Sequence, residues 1–154
     1  MSAMKKNIEN KIYIMKKREN AKIPTRATEG SAGLDLYAAI ENPVNVKPGD
    51  LVKIPTGIAI SLQNEQLVAL VFARSGLGVK HGITLSNGVG VVDSDYRGEI
   101  FVGLCNVSKE DYTINPGDRI AQMIVMPISN FTLIETESLD KTQRDESGFG
   151  STVK

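Results

Sequence analysis

The sequence is poor in the residues that many catalytic centres depend on. It has a single histidine, His81, and a single cysteine, Cys105. One histidine excludes a cluster of imidazole ligands around zinc within one chain, and with one cysteine it also excludes the usual mixed His/Cys site. A Ser-His-Asp relay would have to run through His81, which sits beside glycines in GVKHGI and reads as a turn or loop residue. A lone cysteine excludes an intrachain disulfide, so the composition fits a reducing, cytoplasmic compartment. Surplus charge is missing too. Lys+Arg and Asp+Glu both number 18, so no basic excess points to nucleic acid or to an anionic membrane. The longest apolar runs, such as LVALVF at 67–72, are too short to span a bilayer. The stretch MSAMKKNIENK has lysines but no apolar segment of the kind a signal peptide needs. Any catalysis is left to carboxylates, backbone N–H groups and a hard metal ion.

What is present is short strands and turns. The length of 154 residues suits one compact domain. Residues 1–10 are polar and lysine-rich and are expected to be a disordered lead-in. KIYIMKK at 11–17 alternates apolar and polar residues, as a half-buried strand does. LDLYAA follows a Ser-Ala-Gly turn, and LVALVFAR, GEIFVGLCNV and RIAQMIVMPI are further strand candidates rich in Val and Ile. VKPGDLVKIPTGIAI and INPGDRIAQMIV each place Pro-Gly-Asp between such runs, and Pro-Gly is a strong turn signal. Fourteen glycines and six prolines punctuate the chain, and no window sustains a 3.6-residue period. The expectation is an all-β fold, a jelly-roll-like sandwich or barrel, with the β domain over 11–140 and a flexible C-terminal flap over 141–154.

In RIAQMIVM both faces are apolar. The second face is covered either by another sheet or by another subunit. Gln122 lies in this run, and a buried glutamine needs hydrogen-bond partners, which implies a polar interior patch or a ligand.

Three stretches carry chemistry. ARSGLGVKHGI brings together Arg74, a forked cationic donor, Ser75, a hydroxyl, and Gly76, which lets backbone approach an oxyanion. GVGVVDSDYRGEI at 88–100 packs valines between glycines and then turns abruptly acidic. It lacks the third glycine and the helix of a dinucleotide-binding fingerprint, and it reads as a β-hairpin with Asp-Ser-Asp-Tyr at its tip. A carboxylate such as Asp93 can take a proton from water, and a ring such as Tyr96 can lie against a sugar. Those acids can equally do no more than hold a turn. QRDESGFGSTVK is small, polar and glycine-rich. It reads as a disordered end or as a segment able to grip phosphate.

In order, SAGLDLYAA, ARSGLGVKHGI, NGVGVVDSDYRGEI, GDRIAQMIV and RDESGFGST resemble the five motifs of the trimeric dUTPase family, over roughly Lys11 to Thr152. The resemblance implies a jelly-roll-like homotrimer that uses Mg²⁺ to hydrolyse dUTP to dUMP and pyrophosphate. Such an activity limits uracil incorporation into DNA and supplies dUMP for dTMP synthesis. By the same resemblance Asp93 activates water and Tyr96 packs on the deoxyribose. Asn87 and the backbone around Val91 and Val92 read the uracil edge. Arg74, Ser75 and Gly76 bind phosphate, and Gln122 lies near the phosphates. Asp35 lies near the metal and touches it through water. Arg144, Phe149, Gly150, Ser151 and Thr152 close the site, with Phe149 over the uracil ring. Asp145 and Glu146 depart from the glycine-rich form of the fifth motif. A deaminase acting on dCTP would need an acid/base glutamate near the pyrimidine, and the 73–87 region has none. A nucleotide sensor without catalysis would have no need of Asp93.

Overall fold

The structure is a computed structural model that describes residues 11–143 and Asp145. Its elements run β1 (Tyr13–Lys16), β2 (Leu34–Tyr37), β3 (Val44–Val46), β4 (Leu51–Pro55), β5 (Ile58–Ser61), β6 (Leu67–Phe72), α1 (Ser75–His81), β7 (Ile83–Leu85), β8 (Gly90–Val92), β9 (Phe101–Asn106), β10 (Tyr112–Ile114) and β11 (Arg119–Pro127). Every pairing is antiparallel. The strands make a four-stranded sheet β2-β11-β6-β8, a three-stranded sheet β4-β9-β7, and the pairs β1-β5 and β10-β3. The architecture is all-β and jelly-roll-like.

The two Pro-Gly-Asp sequences fold alike. Gly49 and Gly117 have φ of 84° and 79°, the left-handed position that a Pro-Gly turn requires. In each turn the aspartate N–H donates to the carbonyl three residues back, Asp50 to Lys47 and Asp118 to Asn115. Each aspartate carboxylate then accepts the N–H of that same residue, at 2.9 Å from Lys47 and 2.7 Å from Asn115.

The core gathers Leu36, Ile54, Ile58, Leu62, Ile83, Leu104, Ile114, Ile120 and Met123, all essentially inaccessible. Burying each such side chain contributes about 1.5–3 kcal/mol. Burial alternates along β9, where Val102, Leu104 and Asn106 are buried. On β11 the alternation is broken by a register irregularity between Arg119 and Ala121, so Ile120 and Ala121 are both buried. Beyond that point Met123 points into the core. Gln122, Ile124 and Met126 occupy the outer face, where Met126 is exposed.

Two expectations are corrected. The stretch 88–100 is not a hairpin. Its first half is β8, an edge strand beside β6, whereas β9 runs between β4 and β7 in the other sheet. Residues 93–100 therefore cross from one sheet to the other. Nor is the ARSGLGVKHGI stretch a turn or loop around His81. It contains α1, which ends at His81 and is closed by the N–H of Gly82 bonding to Gly78 O. After Pro127 the chain has no regular structure and is exposed through residue 143. Phe131, Leu133, Ile134 and Leu139 stand in solvent there, each at least 79% accessible.

Candidate active site

The motif residues within the described chain line two separate hollows, except Asp93, which lines neither. The first encloses about 310 Å³ and is lined by Ser31, Gly33, Asp35, Arg74, Ser75, Gly76, Gln122 and Ile124, among others. Asp35 is brought here because β2 pairs with β11, setting Asp35 opposite Gln122. Arg74, Ser75 and Gly76 follow β6, the other neighbour of β11, at the point where the strand gives way to α1. Gln122 donates its amide N–H to Ala73 O at 3.0 Å, which supplies the partner that a half-buried glutamine needs and ties the β11 face to the loop before α1.

Asp35 is buried, and both of its oxygens are engaged. Arg74 Nε donates to Oδ1 at 2.9 Å and Arg119 Nη1 donates to Oδ2 at 3.1 Å. Arg74 Nη1 also donates to the Arg119 carbonyl at 3.3 Å. Two guanidinium groups on one carboxylate leave a net positive charge, and forked donors of this kind suit phosphate oxygens. Ser75 and Gly76 begin α1, where backbone N–H groups have no intrahelical acceptor, and both residues are exposed. By their chemistry these donors suit an anion.

The second hollow encloses about 270 Å³ and lies between the sheets. It is lined by Asn87, Gly90, Val91, Val92, Tyr96, Glu99, Ile100 and Phe101, with Val71, Leu85, Val102 and Lys53 also contributing. Apolar walls and a few polar edges are what a planar base and a sugar require. Asn87 sits in the turn after β7, where the Gly88 N–H bonds to Leu85 O and the Val89 N–H bonds to Asn87 O. Asp93 follows β8 directly and is exposed; its carbonyl accepts the Tyr96 N–H at 3.2 Å. Tyr96 is half-exposed at the rim.

No residue lines both hollows. Asp35, Arg74, Ser75, Gly76 and Gln122 are brought together by the structure, as are Asn87, Val91, Val92 and Tyr96. Arg144, Phe149, Gly150, Ser151 and Thr152 lie outside the described residues, as does Glu146. Arg119, Glu99, Lys53 and Phe101 were not anticipated. Arg119 could have been found from its place in GDRIAQ, one strand away from Asp35. Among the described residues no group of three or more His, Cys, Asp or Glu side chains is set to hold a metal, and no helix there is long and apolar enough to cross a membrane.

A dUTPase family model matches residues 19–153. The chain belongs to the dUTPase family. Membership makes it a dUTP diphosphatase, a hydrolase of nucleotide metabolism. It is 47% identical over 146 residues to the deoxyuridine 5′-triphosphate nucleotidohydrolase of Desulfitobacterium hafniense, an alignment that covers 95% of this chain and 97% of the relative. It is 46% identical over 147 residues to the enzyme of the same name from Shigella flexneri, covering 96% and 97%. Among solved structures it resembles the dUTPase of Staphylococcus bacteriophage 80alpha, which holds dUpNHpp, with a TM-score of 0.84 and 27% identity over 94% of this chain and 99% of that one. A mutant dUTPase of the S. aureus phage phi11, which coordinates a structural Mg(II) ion, aligns with a TM-score of 0.76 and 25% identity over 86% and 100%.

Proposed function

We propose that this dUTPase family member hydrolyses dUTP to dUMP and pyrophosphate as a closed homotrimer, with each site assembled from more than one subunit. The observation that carries the composite site is the separation of the two hollows. A substrate that runs from uracil to triphosphate needs both, and one chain does not join them. The arm after Pro127 and the outer face of β11 expose apolar side chains that partner subunits would cover, as closed C₃ symmetry allows.

In this reading the second hollow takes the uracil and deoxyribose, with Asn87 and the backbone of Val91 and Val92 at the base edge and Tyr96 against the sugar. The first hollow takes the phosphates. Asp93 accepts a proton from a water, whose oxygen attacks the α-phosphorus. The bond from that phosphorus to the αβ-bridging oxygen breaks, and pyrophosphate leaves with the bond electrons. Arg74, Ser75, Gly76 and Gln122 hold the phosphate oxygens, where negative charge accumulates. Arg144, Phe149, Gly150, Ser151 and Thr152 close the site.

The donor set fits Mg²⁺ carried on the substrate. This ion keeps its waters and needs few carboxylates. Asp35, at the wall of the anion hollow, is the residue that would meet the ion's water shell. When bound, the ion supplies charge neutralisation on the phosphates. The half-buried lone Cys105 suits the reducing cytoplasm, where the reaction would limit uracil in DNA and supply dUMP for dTMP synthesis.

The test is pyrophosphate release from dUTP, dCTP, dTTP and UTP by the purified chain. The expected result is turnover of dUTP far above the other three; equal or greater release from dCTP or dTTP would refute the assignment.

A further inference from the structure

The crossing segment 93–100 is held by one residue used twice. The Glu99 carbonyl accepts the Tyr96 hydroxyl at 3.1 Å. The Glu99 carboxylate is in turn fixed by three donors. Arg18 Nε lies 2.6 Å from Oε1 and Arg18 Nη2 lies 3.1 Å from Oε2, a forked pair, while the Gly57 N–H donates to Oε1 at 3.0 Å. The Glu99 side chain is 14% exposed and that of Arg18 42%, so the carboxylate end of the pair is largely withdrawn from water. The neighbouring bonds run the same way. Ile100 donates to Ile58 O, and its own carbonyl accepts both the N–H and the hydroxyl of Thr56. Between Tyr96 and Glu99 the chain passes directly beneath the ring. A Cβ built on Gly98 would lie 2.5 Å from Tyr96 Cζ and 3.0 Å from its Cε2, so the ring rests on bare backbone.

We propose that Arg18 and Glu99 are positioning residues that fix the Tyr96 ring and so set the discrimination between deoxyribose and ribose. The inference rests on the reading of Tyr96 as the ring that packs on the sugar. The chain of contact is short. Arg18, in the bend after β1, and the turn between β4 and β5 hold the Glu99 carboxylate. That fixes the backbone carbonyl to which the tyrosine hydroxyl is tied. A ring free to tilt would make room for a 2′-hydroxyl, whereas a ring held from below does not. Arg18 lies outside both hollows, and Glu99 lines the base and sugar hollow on the Tyr96 side, away from the anion hollow, so their effect is read in the choice of sugar.

The experiment measures kcat/KM for dUTP and for UTP with the full chain and takes the ratio, in which the shared triphosphate cancels. Glu99→Gln and Arg18→Met are each expected to lower the ratio about tenfold, the equivalent of one hydrogen bond to a charged group. The double variant should lose no more than either single one, because the two act as a unit. Tyr96→Phe, which keeps the ring and removes its tie, should resemble them, and Tyr96→Ala should lose more. The Arg18 side chain is 42% exposed, so Arg18→Met is expected to fold whatever Glu99→Gln does, and it carries the test by itself. If Tyr96→Ala loses discrimination while folded Glu99→Gln and Arg18→Met keep it, the positioning role is refuted and the Tyr96 reading stands. If Tyr96→Ala keeps full discrimination, the Tyr96 reading itself fails and the inference falls with it.

Discussion

Arg74 and Arg119 are held side by side by Asp35, each on its own oxygen, at 2.9 and 3.1 Å. The carboxylate stands between two like charges that would otherwise repel, and it holds Arg74 at the wall of the anion hollow. Asp35→Ala should therefore damage binding and stability together. Loss of the shared acceptor is expected to cost about 1–3 kcal/mol of folding stability, the lower end applying because Arg119 is half in water. The KM for dUTP should rise more than kcat falls. Unchanged KM beside an unchanged melting curve would show that the pair of arginines orients itself.

Asp93 is expected to act on the chemical step alone. Asp93→Asn keeps the shape and cannot take a proton, so kcat should fall by about 10²–10⁴-fold with dUTP still bound. Single-turnover hydrolysis alongside equilibrium binding separates the two. Near-normal turnover would transfer the role to Asp95, which is also exposed in the same turn.

The separation of the two hollows makes a test by mixing. Arg74→Ala damages the anion hollow and Asp93→Asn removes the base that follows β8, and each homotrimer should be nearly inactive. Co-refolded in equal amounts, the two should recover activity. With random assembly and the two elements drawn from different subunits, half of the sites have one intact element and half of those the other, so about a quarter of the sites are whole. No recovery above the parental variants would place both elements in a single subunit.

Truncation after Lys141 should leave a folded trimer of nearly unchanged melting temperature and abolish most hydrolysis, since the removed segment offers one large apolar side chain, Phe149, to any core. Turnover of the truncated protein is compared with its melting curve. Full activity would remove Arg144 and Phe149 from the site.

Much of this architecture is legible in the sequence because it is local. The Pro-Gly-Asp turns depend on four consecutive residues, and the valine-rich runs give β6, β9 and β11. Sheet membership is not local. Nothing in GVGVVDSDYRGEI tells whether the strand after the acidic turn returns beside the first or crosses to another sheet, and it crosses. Helix α1 is hidden because its seven residues include Gly76 and Gly78 and only Leu77 is buried, too little to show a period. The five motifs mark Asp35, Arg74 and Gln122 as residues of one site, but not that Arg119 shares the carboxylate of Asp35. The role of Glu99 is not legible in the sequence, because its partner Arg18 lies 81 residues away.

The twin Pro-Gly-Asp turns also bear on how the chain folds. Each closes over four residues with reciprocal bonds, so each can form on the microsecond scale without help from the rest of the molecule. They lie at the β3–β4 and β10–β11 connections, and β3 pairs with β10. The two fast local events therefore present strand ends from distant parts of the sequence to one another. The slow step is the closure of the long loop between them. Substituting Gly49 or Gly117 should slow the docking of the two halves, leaving the strands between them intact.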